Sequence, residues 1–270
     1  MTLRNKYTLF IIILFLTLLS LPISAQKNCK AHKGDVKNAY NFWFYTPEDV
    51  EEEDAHRPLL VFLHGASLCG NNLDRVRKYG PIDALKRGRV IDCYVIVPQN
   101  PGGSWSPQKV MTLIEWAEKN YNVDSDRIYV YGMSLGGYGT IDVCATYPDR
   151  IAAGMAMCGG ATVKDLSGLS KIPMWIIHGT ADKAVPVAMS DKVVAEMKKT
   201  GDSRLIYTRL PGANHGAPAR IFYMNQTYDW MFSHSIKDED RPINRDFEIT
   251  NALLKTAYSD LGKNTMDAFE

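Results

Sequence analysis

The 270-residue chain has almost no net charge, formally +1 at pH 7, and no block of like charge interrupts its core. Such a balance offers neither the basic face that recruits nucleic acid nor a patch for an acidic membrane surface. Cysteine is scarce: of the five, at 29, 69, 93, 144 and 158, no pair has zinc-ligand spacing, and an odd number cannot all be bridged. Cys93, Cys144 and Cys158 fall in apolar runs and read as buried thiols. A Cys29–Cys69 bridge is left open, because spacing alone does not establish the geometry a disulfide needs. Internal repeats, a Pro-rich linker and a second domain are also missing.

The long apolar run lies at the N-terminus, where Arg4 and Lys6 precede Leu9–Leu21, followed by Pro22 and the small residues Ser24 and Ala25. This is the pattern of a secretory signal peptide cleaved after Ala25. As an anchor the run falls short of the roughly 20 apolar residues that span a bilayer, and Pro22 closes it. A lipidated Cys29 fits poorly, since Gln26, Lys27 and Asn28 before it are large and polar. Losing residues 1–25 removes Arg4 and Lys6 and takes the formal charge from +1 to −1. About 245 residues remain, enough for one large α/β domain. The expectation is a secreted or periplasmic protein without stable membrane insertion and without a nucleic-acid partner.

What the chain does have is alternation. Strand-like runs at Tyr40–Tyr45, Pro58–His64, Asp92–Val97, Arg127–Tyr131, Ile151–Met157, Met174–Ile177 and Leu205–Leu210 are separated or followed by helical patterns. The helices are expected over Ser106–Tyr121, Leu135–Tyr147, Val187–Lys199 and Arg220–Phe232. Continuous apolar runs such as Pro58–His64 suit strands buried on both faces. Strands alternating with helices imply an α/β fold with a doubly wound, mostly parallel sheet over residues 26–235. In such sheets ligands bind outside the carboxyl ends of the strands. Residues 236–270 are charged, with a short helix expected around Ile249–Leu261, and read as a tail that packs peripherally or stays mobile.

At the end of the Arg127–Tyr131 run stands Gly132-Met133-Ser134-Leu135-Gly136-Gly137, leading directly into a helix. A Gly-X-Ser-X-Gly turn between strand and helix presents its serine on strained backbone, with glycines where a Cβ would clash. The helix N-terminus behind it favours the oxyanion formed on attack. Serine also needs a base, itself oriented by a carboxylate. Asp182 follows the Met174–Ile177 strand and His215 follows the Leu205–Leu210 strand, so acid and base each sit on a loop after a separate strand. Asp165 falls in a linker and Asp191 inside a helix, which makes them weaker acids for the role. His64 and His178, each before a glycine at a strand end, read as loop braces. His32, His56 and His234 read as solvated. The second oxyanion donor is expected from His64-Gly65-Ala66-Ser67, which assigns the hole to the Ala66 and Leu135 amides.

These motifs, together with Leu63-His64-Gly65, Pro98-Gln99, Gly137-Tyr138-Gly139 and His178-Gly179-Thr180-Ala181-Asp182-Lys183-Ala184-Val185-Pro186, resemble secreted α/β-hydrolases of the esterase, feruloyl-esterase and prolyl-oligopeptidase-like groups. The resemblance runs from about Pro58 to Gly216. It implies acyl transfer through Ser134, His215 and Asp182 with no metal or cofactor, and it leaves the substrate undefined.

Only Cys158–Lys171 separates the sixth and seventh strand runs, which leaves no room for a large lid. An open site suits an acyl group carried on a bulky polymer, such as an acetylated or feruloylated polysaccharide. Trp105, in the glycine-rich loop Pro101–Trp105, is placed to stack on a sugar or aromatic acyl group, with covering of the core as the competing role. A serine peptidase and a non-catalytic binding module on the same fold are the alternatives. Asn225-Gln226-Thr227 matches a glycosylation sequon but lies in an expected helix.

Overall fold

The computed structural model describes residues 28–47 and 56–262. The expected signal segment 1–25 therefore lies outside the described residues. The inner strands are continuous apolar runs, as a sheet covered on both faces requires. The strands are β1 (Cys29–His32), β2 (Asn41–Tyr45), β3 (Arg57–Leu63), β4 (Tyr94–Gln99), β5 (Val123–Met133), β6 (Ala153–Met157), β7 (Met174–Gly179) and β8 (Leu205–Leu210). They form one eight-stranded sheet in the order β1-β2-β4-β3-β5-β6-β7-β8. Strands β3 to β8 run parallel, while β1 and β2 add an antiparallel edge.

Alternate side chains of each inner strand feed opposite layers. Leu60 and Phe62 of β3, Val95 and Val97 of β4, and Tyr129 and Tyr131 of β5 pack on one face. Leu59, Val61, Leu63, Ile96, Ile128 and Val130 pack on the other. The helices covering these faces are α1 (Pro81–Lys86), α2 (Pro107–Asn120), α3 (Leu135–Thr146), α4 (Ala188–Thr200), α5 (Asn225–Phe232) and α6 (Asn251–Lys255). In α2 the Ser106 hydroxyl caps the Lys109 amide at 3.3 Å and Pro107 sits at the first helical position, the chemistry that starts a helix. Its apolar stripe Val110, Met111, Leu113, Ile114 and Ala117 is buried. No helix among the described residues is long and apolar enough to cross a membrane.

Three expectations are corrected. His32 and His234, read as solvated, are 6% and 2% exposed. The helix expected over Arg220–Phe232 is broken: a 3-10 segment, Ala217–Tyr223, ends at Met224, which is extended (φ −96°, ψ 132°), and α5 starts afterwards. Side chains make the break, since Thr227 Oγ1 donates to the Ile221 carbonyl (2.6 Å) and Tyr228 Oη to that of Phe222 (2.5 Å). The described part of the tail is packed into the core and not peripheral. Ile249, Leu254 and Ala257 are 1%, 2% and 3% exposed within the core, and Phe247 packs edge-on against Trp175. Its charged residues dock it: Arg245 donates to the Leu205 carbonyl (3.0 Å), and Arg89 grips Asp260 at 2.8 and 2.9 Å. The cysteines are free, so the Cys29–Cys69 bridge left open by the sequence is not formed.

Candidate active site

The carboxyl ends of β3, β5, β6, β7 and β8 converge on one edge of the sheet, and each contributes a loop. Ser134 joins β5 to α3 with φ 59° and ψ −122°, backbone that a side-chain-bearing residue adopts only at a cost. Its amide is tied to the Met157 carbonyl at 2.8 Å. The flanking glycines are there for contact: a Cβ on Gly136 would overlap the Leu63 carbonyl, and one on Gly132 would stand 2.6 Å from the Gly136 oxygen. Ser134 itself is half-buried.

The loop after β3 lies against this turn, since a Cβ on Gly65 would come within 3.4 Å of the Ser134 Cβ. The Gly65 amide donates to Tyr79 Oη (2.7 Å). His64, buried, donates from Nδ1 to the Gly65 carbonyl (2.7 Å) and accepts the Asn100 amide on Nε2 (3.0 Å). Burial, chiefly, lowers His64 to about 4, so the ring is neutral. Ala66 opens a short 3-10 turn and Leu135 opens α3, so neither amide has an intrahelical acceptor.

Asp182 and His215 come together on the loops after β7 and β8. His215 Nδ1 donates to Asp182 Oδ2 at 2.6 Å, while the Ala184 and Val185 amides donate to Oδ1 at 2.8 and 2.9 Å. The Asp182 side chain has no exposed surface; that of His215 is 28% exposed. Burial pushes the Asp182 carboxyl up, but the hydrogen bonds from His215, the two amides and the Cys158 thiol outweigh it and hold it below the ordinary value. The hydrogen bond to Asp182 fixes the proton on Nδ1 and leaves the Nε2 lone pair of His215 for chemistry. Asp165 instead caps the Ser167 amide (2.9 Å), and Asp191 accepts from the Tyr207 hydroxyl (2.6 Å).

Cys158, Asp182 and His215 are a set of three potential metal donors among the described residues, their atoms within 4.8 Å of one another. Asp182 and His215 are engaged with each other, and burial pushes the Cys158 thiol up to about 12. Loading a cation there would have to break that hydrogen bond and strip the thiol of its proton.

Trp105 is corrected. It is 2% exposed, its Nε1 donates to the His64 carbonyl at 3.2 Å, and its ring packs edge-on against Tyr40 and His64 with centroids 5.0 and 4.9 Å away. Gly139 leaves room for that ring, which a Cβ would approach to 2.7 Å. A face packed in this way is closed to a sugar, so Trp105 supports the site loops from below.

Sequence reasoning passed over three supports. Tyr79 gives no signal in the sequence. Asp142 does, as an acid inside the otherwise apolar helix α3. It is 1% exposed and accepts the Thr162 and Val163 amides at 2.8 and 3.1 Å, fastening the β6–β7 connection to the helix behind Ser134. Cys158, with φ 48°, ends β6 and points its sulfur at the His215 carbonyl (3.8 Å).

Comparison with known proteins places the chain among esterases. Acetylxylan esterase A of Emericella nidulans is 28% identical over 154 residues, covering 51% of this chain and 48% of that protein. A bifunctional acetylxylan esterase/xylanase of Neocallimastix patriciarum is 35% identical over 147 residues, 51% of this chain and 21% of that protein. The chain thus spans about half the length of the first relative and about a fifth of the second. A solved structure described as a thermostable esterase superposes with a TM-score of 0.64 at 25% identity, over 78% of this chain and 64% of that one. Residues 104–238, which include Ser134, Asp182 and His215, match the phospholipase/carboxylesterase family. With that match on an α/β-hydrolase sheet, the chain belongs to the phospholipase/carboxylesterase family of α/β-hydrolases.

Proposed function

We propose that the protein is a secreted carboxylic-ester hydrolase that removes acetyl groups from an acetylated polysaccharide of the xylan type. The observation that carries the reading is the 2.6 Å bond between His215 Nδ1 and Asp182, whose side chain has no exposed surface, with Ser134 held at φ 59° at the same edge of the parallel sheet. His215 Nε2 takes the Ser134 proton as Oγ attacks the ester carbonyl. The oxyanion falls to the Leu135 and Ala66 amides, aided by the N-terminal end of α3. Collapse expels the sugar alcohol, which receives the proton from His215, and leaves Ser134 acetylated. Water, deprotonated by the same nitrogen, then releases acetate and restores the serine.

The polysaccharide is supported by the acetylxylan esterases among the relatives and by the short β6–β7 connection, which holds only a 3-10 turn at Ser167–Lys171. Export is supported by the signal-like residues 1–25.

The test compares wild type and Ser134→Ala on p-nitrophenyl acetate and acetylated xylan, with a fluorophosphonate label. Wild type should react with the probe and turn over both substrates, while the variant loses turnover by several orders of magnitude and keeps its melting temperature. Turnover in the variant near that of wild type refutes the nucleophile, and an unreactive wild type refutes the hydrolase.

A further inference from the structure

The loop that carries His215 also forms one wall of a cleft. It leaves the carboxyl end of β8 at Leu210, on the edge of the sheet where such folds take their ligands. The other wall is α6 of the docked tail, and between the two lies a cavity of about 440 Å³, within the range of small-molecule sites. Asn214 and Gly216, the chain neighbours of His215 on either side, both line it. Asn251 ties the walls together by donating to the Pro211 carbonyl (2.7 Å).

Charge sets this cleft apart. Its lining includes Arg220 and Lys255 but no Asp or Glu. Both cationic residues are exposed, and among the described residues neither forms an ion pair. Arg220 places one N–H on the Leu254 carbonyl at 3.4 Å, which leaves most of its guanidinium donors unused. The cleft at the opposite end of β8, lined by Arg204, Asp240 and Arg245, is different. There Arg204 donates to the Ser170 and Arg241 carbonyls (3.1 Å each) and Arg245 to those of Ser203 and Leu205 (3.0 Å each). Those arginines hold the fold together, whereas Arg220 and Lys255 present charge to the space beside the histidine loop.

We propose that this cleft is a subsite for a carboxylate-bearing sugar, a uronate branch on the same acetylated polysaccharide that delivers its ester to Ser134. The inference rests on the esterase reading and narrows its substrate. The guanidinium fork of Arg220 matches a carboxylate in two parallel hydrogen bonds, and Lys255 adds a second positive charge. The side-chain NH2 of Asn214, whose oxygen accepts the Ala217 amide (3.2 Å), is left for sugar hydroxyls. Because the wall of the cleft is the His215 loop, a polymer with an acetyl group at Ser134 passes its mouth. A branch bound there touches none of the reacting atoms, so it strengthens substrate and transition state equally and acts on KM.

The experiment measures acetate release by the full-length protein from one acetylated xylan before and after enzymatic removal of its glucuronate branches. Wild type should favour the branched polymer in kcat/KM by about threefold to tenfold, the scale of two exposed ion pairs. The difference should lie in KM and fade in about 0.5 M NaCl, as screening requires. Arg220→Gln with Lys255→Gln should abolish the preference, and Arg220→Lys, which keeps the charge, should retain most of it. Equal kcat/KM of wild type on the two polymers overturns the proposal, as does a preference that survives in the double variant. Competition by inorganic sulfate as strong as by free glucuronate overturns the sugar subsite in favour of a plain anion site. Wild type that cleaves p-nitrophenyl acetate but neither polymer refutes the xylan reading instead. Titration of Ser134→Ala with a glucuronate-branched xylo-oligosaccharide then decides the subsite: saturable binding that the two Gln substitutions remove supports it, and no binding overturns it.

Discussion

Replacing Asp182 by Asn asks what the carboxylate contributes beyond shape. Oδ1 receives the Ala184 and Val185 amides, and Oδ2 receives His215 Nδ1 and faces His178 Nε2. All these partners are donors, so the pocket calls for two acceptor oxygens, and an amide has one. If the Asn oxygen keeps the backbone amides, its NH2 meets the His215 N–H; flipped, it meets the amides instead. The lower-cost escape moves the His215 proton to Nε2, which then cannot accept from Ser134. A lost tautomer of this kind costs roughly 10⁴ in kcat in a serine hydrolase triad, equivalent to about 5.5 kcal/mol of barrier. Stability suffers less, by about 1.5–3 kcal/mol for one hydrogen bond to a charged group. At about 2–4 °C per kcal/mol in a domain of this size, the melting temperature should fall by roughly 3–12 °C. Initial rates on p-nitrophenyl acetate and a circular-dichroism melt read the two effects separately. A folded Asp182→Asn protein within tenfold of wild-type kcat would refute the reasoning, as would a larger loss from Asp165→Asn or Asp191→Asn.

Trp105→Ala should destabilise by about 3–5 kcal/mol, the cost of emptying a buried aromatic site, and depress activity on acetylated xylan and p-nitrophenyl acetate alike. A selective loss on the glycan, with an unchanged melt, would return Trp105 to the substrate. His64 gives stability a pH dependence. Its folded value of about 4 lies below the roughly 6.5 of an unfolded histidine, so the unfolded chain takes up a proton that the native state refuses. This contribution is full above pH 6.5 and is lost as pH falls toward 4, by about 3 kcal/mol in all. Urea unfolding at pH 7, 5.5 and 4.5 checks it, and His64→Asn should remove that part of the slope.

Local patterns carried the fold well. Apolar runs bounded by turn residues gave the strands β2 to β8, though β5 starts four residues before the expected Arg127, at Val123, and the glycine pair around Ser134 marked a close approach that occurs at Leu63 and Gly136. Asp182 and His215, which pair at 2.6 Å, were marked by their loops after separate strands. What failed was non-local. The strand β1 is a short polar-looking edge whose identity comes from pairing with Tyr45 to Phe42. Trp105 looked available because its loop is rich in glycine, while the rings that bury it come from Tyr40 and His64. In the tail, the spacing of Ile249, Leu254 and Ala257 was hidden among charges that bond to distant carbonyls.

The docked tail bears on how the protein would lose activity. Arg245 holds the start of β8 at Ser203 and Leu205, and Asn251 donates to the Pro211 carbonyl at the turn after it (2.7 Å). The strand that presents His215 is an edge strand, and its outer border is fastened by residues from the far end of the chain. Proteins open locally, in cooperative units, before a domain melts as a whole. Release of residues 236–262 would free the histidine loop and bare an unpaired strand edge, a template for association with other chains. Inactivation and aggregation would then share a single early event, ahead of the collapse of the inner sheet.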